Sequence, residues 1–228
     1  MAKQIMIDPD QRRKQSEETF QNIPVNTYRK RMRDLREEFT SQQLLNIFYD
    51  MLSIRQFETM LQDLRLSGNF RGVKYDYSGP AHLCIGQEAA AVGQAFCLDA
   101  NDFIFGTHRG HGELIAKGFA TLRKLEDAVL MQIMQTYSDG AQLNVVQRGF
   151  TGTVRELALR FYLYGIMTEI FGRENGFAKG LGNSMHAFFI PFGVYPNNAI
   201  VGGSAPIASG AALYKKLFKQ GGIVVANA

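Results

Sequence analysis

From Ser41 onwards the apolar residues Leu44, Phe48, Met51, Leu52, Phe57, Met60, Leu61 and Leu64 recur at steps of three, four and their sums. That period places them on one face, so it predicts an amphipathic helix halted by the Ser-Gly-Asn at 67–69. "IGQEAAAVGQAFCL" (85–98) is small or apolar on nearly every side, the pattern of a helix buried on most of its faces. "DFIFGT" (102–107) and "GIVVAN" (222–227) are short, continuous apolar runs beside glycine turns and predict strands. "APIASGAALYKKLFKQGG" predicts a helix with Pro206 in its first turn, a basic last turn and a Gly-Gly stop. Continuous apolar strands separated by helices are the signature of a parallel sheet covered on both faces, so the expected class is α/β.

Composition narrows the picture. With 228 residues, 46% hydrophobic and 20% charged, the chain can bury a substantial core. The first 40 residues are polar and charged and are expected to form an arm; residues 41–228 form the folded body. No apolar run approaches the ~18 residues of a membrane span, and "MAKQIMIDPDQRRKQ" lacks an apolar signal region, so a cytoplasmic, membrane-free protein is expected. The net charge of +4 is scattered, and acids alternate with bases even in "YRKRMRDLREE". A solvated helix face accounts for that run better than a nucleic-acid patch. Cys84 and Cys97 are too few for a disulfide scaffold, and both sit among apolar residues where a buried thiol is expected.

The chemistry concentrates in "GTHRGHG" (106–112), which holds two of the four histidines. A zinc site built from His108 and His111 with Cys84 or His82 lacks the helical spacing of the common catalytic motif, and Arg109 would repel a divalent ion. The same arginine favours a phosphate, to which guanidinium offers paired, charge-assisted hydrogen bonds. "AIVGGS" (199–204) leads into a helix N-terminus and can bring backbone N–H groups towards an anion or a planar ring.

Four stretches, "HLCIGQEAAAVGQAF", "THRGHGELIAKG", "GFAKGLGNSMH" and "IVGGSAPIASGAAL", resemble in order and style the alpha subunit of thiamine-diphosphate-dependent 2-oxoacid dehydrogenases. This is the decarboxylating first component of the pyruvate, branched-chain and acetoin dehydrogenase complexes. "THRGHG" and "AKG" look most like the acetoin branch. The resemblance implies a three-layer parallel sheet with helices on both faces. It implies His82 at the cofactor's reactive end, Arg109 on the diphosphate with His108 beside it, and the main chain of Ala199 and Val201 against the aminopyrimidine. Ser184, Met185 and His186 match a loop near the active-site mouth. Catalysis is implied for His82 and His108.

The resemblance further implies thiamine diphosphate with magnesium, a 2-oxo acid or acetoin as substrate, and a hetero-oligomer with a beta subunit or fused beta half. A lipoyl-bearing acyltransferase would take the acyl group. The activating glutamate of this family comes from the beta subunit, so Glu88 is read as a structural residue in a first helical turn. Two departures stand out. The Gly-Asp-Gly that carries magnesium is absent and would be expected after "IVVANA", which points to magnesium ligands beyond Ala228, in a longer polypeptide cut before its metal-binding half. A segment from about Phe119 to Leu159 reads as an insertion that serves as lid or assembly surface. The alternative is a catalytically silent assembly or interaction module lacking the magnesium motif.

Overall fold

The computed structural model describes residues 8–14, 27, 29–77 and 79–228. The chain divides into two units, residues 1–40 and residues 41–228. In the first, α1 (Pro9–Arg12) and α2 (Met32–Glu38) are described. The Arg31 N–H donates to Asp34 Oδ2 at 2.7 Å, which caps α2, and Lys30 pairs with Glu38 across its exposed face. The remainder of the expected arm, residues 1–7, 15–26 and 28, lies outside the described residues.

The second unit opens with α3 (Ser41–Ser67), which ends where Gly68 turns to a φ of +64°. The helix forms where the periodicity predicts, but its inner stripe is different. Asp50, Ile54, Glu58, Leu61 and Leu64 are buried, whereas Phe48 and Leu52 face outward. Two acids can occupy that stripe because each has partners: Arg123 forks onto Asp50, and Glu58 is engaged by His111 and the Cys84 N–H. A hairpin of β1 (Asn69–Phe70) and β2 (Val73–Lys74) follows, turning through Arg71 and Gly72, both at positive φ.

Helix α4 (Glu88–Ala95) buries Ala91, Val92 and Ala95 but exposes Ala89, Ala90 and Gly93. It is covered on one side, not on most of its faces, because alanine is small enough to sit on either side of a helix. Cys84 is buried as expected; Cys97, just past α4, is exposed. Both are free thiols, and burial pushes the Cys84 thiol well above its ordinary range.

Strands β3 (Phe103–Phe105), β4 (Val194–Tyr195) and β5 (Val224–Ala226) form a parallel sheet in the order β4-β3-β5, with Ile104 opposite Val194 on one side and Val225 on the other. Parallel neighbours require long crossovers, and the helices supply them. These are α5 (His111–Lys124), α6 (Asp127–Thr136), α7 (Ala141–Val146), α8 (Val154–Ile170) and α9 (Ser204–Leu217). The fold is therefore mixed α/β with a parallel sheet. Helix α8 begins on a capping box in which Thr153 N donates to Glu156 Oε2 at 2.8 Å and Glu156 N donates back to Thr153 Oγ1.

The segment read as an insertion contributes buried residues to the core. Phe119 to Lys124 are the last turns of α5, where Phe119, Ala120 and Leu122 are buried, and Leu130, Met134, Leu143 and Val146 pack inward after them. These apolar residues fill the interior, so the inner face of the segment is a packing surface. Phe161, Tyr162, Phe177, Phe189 and Phe192 form the adjoining aromatic cluster, with Phe177 and Phe189 at 4.2 Å between ring centres. The fully buried Lys117 donates Nζ to the carbonyls of Asp99 and Phe192, each at 2.6 Å, and to Thr121 Oγ1 at 3.0 Å. Among the described residues no helix is long and apolar enough to cross a membrane.

Candidate functional site

The "GTHRGHG" stretch links the end of β3 to the first turn of α5. Its glycines make room: a Cβ on Gly106 or Gly110 would lie within 2.3 Å of the Asn197 side chain, so only glycine lets that amide close over the loop. Thr107 Oγ1 accepts from the Arg109 N–H at 3.1 Å, and Arg109 Nη1 donates to the Leu83 carbonyl at 2.9 Å. The arginine is thereby tied to the segment that carries His82.

A cleft of about 380 Å³ opens beside this loop, lined among others by His108, Arg109, Glu113, Val201, Ser204 and Asn227. Of the residues expected at the site, His108, Arg109 and Val201 line it directly. Ala199 lies between Asn197 and Val201 on the same loop, and its neighbours Asn198 and Ile200 contribute to the wall. His82 reaches the cleft through His108, with the two rings edge-on at 5.7 Å. The Nδ1 atoms of both histidines are buried with no hydrogen-bond partner, as is Nδ2 of Asn227. Burial, then the neighbouring His108 and Arg109, lower the His82 pKa, so its imidazole favours the neutral form.

Behind the cleft lies a network that the sequence reading did not assemble. Glu58 Oε1 is 2.7 Å from His111 Nδ1, and His111 Nε2 is 2.9 Å from Ser184 Oγ. All three side chains are sealed from solvent. Glu58 Oε2 accepts the Cys84 N–H at 2.8 Å, and Ser184 Oγ accepts the His82 N–H at 3.4 Å. Helix α3, helix α5 and the 176–186 loop are thus bonded behind His82. The spacing resembles a serine–histidine–acid array, but a hydroxyl without solvent access cannot attack a substrate, and the array acts as scaffolding. With Glu58 and Ser184 on its two nitrogens, His111 has none left for a metal.

The 176–186 loop is itself held by one carboxylate. Glu169 of α8, fully buried, accepts N–H bonds from Ala178, Gly180, Gly182 and Asn183 at 2.6–3.2 Å. Met185 is half-buried, whereas His186 is exposed and its Nδ1 meets the Asn197 carbonyl at 2.9 Å. Glu88 is buried and structural: the Arg55 guanidinium at 2.6 Å and the Gly86 N–H hold its carboxyl down to about 2.

Glu113, Gln87 and Ser204 joined the site without having been singled out. Glu113 stands within the "GHGELIAKG" stretch, so an acid next to a phosphate-seeking arginine was the available signal. An anionic group fits the cleft, given Arg109 and the partnerless buried nitrogens. Magnesium does not find a matching set, since no three His, Cys, Asp or Glu side chains converge among the described residues.

Residues 69–162 match the family model described as "Dehydrogenase E1 component". The acetoin:2,6-dichlorophenolindophenol oxidoreductase alpha subunit of Bacillus subtilis is 33% identical over 79% of this chain and 39% of its own length. The Cupriavidus necator protein of the same name is 34% identical over 78% of this chain and 39% of its own. The mitochondrial pyruvate dehydrogenase E1 component alpha subunit of Chaetomium thermophilum is 31% identical over 78% of this chain and 31% of its own. The chain thus spans less than two fifths of the length of these relatives, and within that span it belongs to the dehydrogenase E1 component family.

Proposed function

We propose that this chain supplies the diphosphate side of the cofactor site of a thiamine-diphosphate-dependent 2-oxoacid or acetoin dehydrogenase, acting with a beta subunit or fused beta half. The observation that supports the reading best is that His108 and Arg109 line one cleft with the His82 ring edge-on behind His108, both histidines carrying partnerless Nδ1 atoms. A three-layer sheet is the architecture this reading expects, supported by the parallel β4-β3-β5 order and by the helical crossovers.

When bound, thiamine diphosphate would supply a carbon nucleophile and an electron sink for decarboxylation. The residues of this chain anchor and proton-manage. Arg109 would donate to the diphosphate, and its bond to Leu83 O fixes its reach. The backbone around Ala199 and Val201 would border the aminopyrimidine end. His82, favouring its neutral form, can accept a proton at the reacting end, and His108 stands next to it. The acyl group would pass to a lipoyl-bearing acyltransferase.

A silent assembly module is the second reading. Calorimetric titration with thiamine diphosphate separates the two. We expect binding, and expect Arg109→Ala to weaken it by about 1.5–3 kcal/mol, the scale of a charge-assisted hydrogen bond. Equal affinity in the variant would remove Arg109 from the site, and no binding by the wild type would favour the module.

A further inference from the structure

Glu113 is the acidic side chain in the wall of the cleft. It stands in the first turn of α5 with Oε2 accepting the Thr107 N–H at 3.2 Å. It also lines a second cavity of about 120 Å³ behind the cleft, together with Gln87, Arg109 and Asn227. An ionised carboxylate here would face any phosphate across a shared wall and oppose what Arg109 attracts. A protonated one would add an O–H donor beside the guanidinium and the partnerless Asn227 Nδ2.

We propose that Glu113 is a further member of the anion-binding site, and that it takes the diphosphate in its carboxylic acid form, donating its O–H to a ligand oxygen. The inference rests on the diphosphate reading of the cleft and assigns a new residue to it. The charge environment agrees. Burial pushes the Glu113 carboxyl up to about 7, only partly offset by the Thr107 N–H and by His111. The charged or titratable side chains that face it are His108 and Arg109 on the preceding loop and His111 on its own helix, while Gln87, Asn198, Ser204, Asn227 and Ala228 bring no charged side chain from the other walls. Ligand binding then carries a proton with it. The carboxylate gains that proton from solvent, no other bond changes, and the proton leaves again when the anion does.

The test is calorimetric titration of the intact protein with thiamine diphosphate and, separately, with inorganic pyrophosphate. Each is run in two buffers of different ionisation enthalpy, for the wild type and Glu113→Gln. The wild type should take up about 0.9 more protons per site than the variant at about pH 8, and its affinity should fall roughly 20-fold from about pH 6.5 to about pH 8.5 relative to the variant. Glutamine keeps the shape and an N–H donor, so the variant should bind with an affinity that lacks this slope. Equal proton uptake in both proteins, or extra proton release by the wild type as a metal-bound carboxylate would give, overturns the proposal and leaves the cofactor reading standing. Failure of the wild type to bind either probe overturns the cofactor reading and this inference together. Carbon NMR titration of the Glu113 carboxyl checks the same point without a ligand: a midpoint near neutrality supports it, and one in the ordinary carboxylate range overturns it.

Discussion

The chain uses its histidines in two opposite ways within a few residues of each other. His111 is sealed from solvent and has a partner on each nitrogen, Glu58 on one and Ser184 on the other. His108, at the cleft, and His82 behind it each carry a buried Nδ1 with nothing to bond. A satisfied polar group in a dry interior stabilises the fold, and an unsatisfied one costs free energy unless a ligand completes it. The same residue type is therefore satisfied structure in one place and, on the proposed reading, binding capacity in the other, and the difference lies in the partners.

That contrast can be broken by mutation, and the largest effect should come from its buried side. Glu58→Ala strands His111 Nδ1 and the Cys84 N–H in the core, and denaturant unfolding should show a loss of about 3–5 kcal/mol. A loss no larger than that of a cleft variant would sink the distinction. Glu169→Gln replaces one acceptor oxygen of a carboxylate that holds four N–H groups. It should cost about 2–3 kcal/mol and bring early proteolysis in the 176–186 loop. Ser184→Ala should cost about 1 kcal/mol, since His111 keeps its contact with the Ser184 carbonyl at 3.1 Å. His108→Ala should change stability by under about 1 kcal/mol, because no hydrogen bond of its Nδ1 is lost, yet weaken thiamine diphosphate binding.

The smallest effect at acid pH is that of Glu113→Gln, and its sign is set by linkage. The folded-state pKa of about 7 lies above the ordinary 4.5, so ionisation costs the wild type stability as pH rises through that interval. The variant lacks this loss. Its melting temperature relative to the wild type should therefore climb between those two pH values and level off above them, and a flat difference would contradict the burial of that carboxyl.

What could be read from the sequence follows the range of the forces involved. The extent of α3, the strands at Phe103–Phe105 and Val224–Ala226, and the helix around Pro206 are local, set by periodicity, glycine turns and capping. The inner stripe of α3 was not legible, because Asp50 and Glu58 turn inward only when Arg123 and His111 arrive from far along the chain. Alanine-rich α4 hid its outer face for a different reason, as small side chains carry no periodic signal. At the site, the arginine between two histidines was visible in "GTHRGHG", and the cleft brings His108 and Arg109 together. Glu113 and the Glu58–His111–Ser184 chain depend on burial, which a single sequence does not print.

Lys117 carries a consequence for chemical labelling. Its three acceptors hold Nζ in the core, and burial lowers its pKa to about 8, so in mildly alkaline solution much of it is a neutral amine. A neutral amine is a good nucleophile towards acylating reagents, but no reagent can reach this one while α5 is packed. Its acylation therefore waits on the opening of the interior around α5. Followed by mass spectrometry against the exposed lysines as internal reference, the labelling of this single side chain becomes a clock for how often the native core breathes.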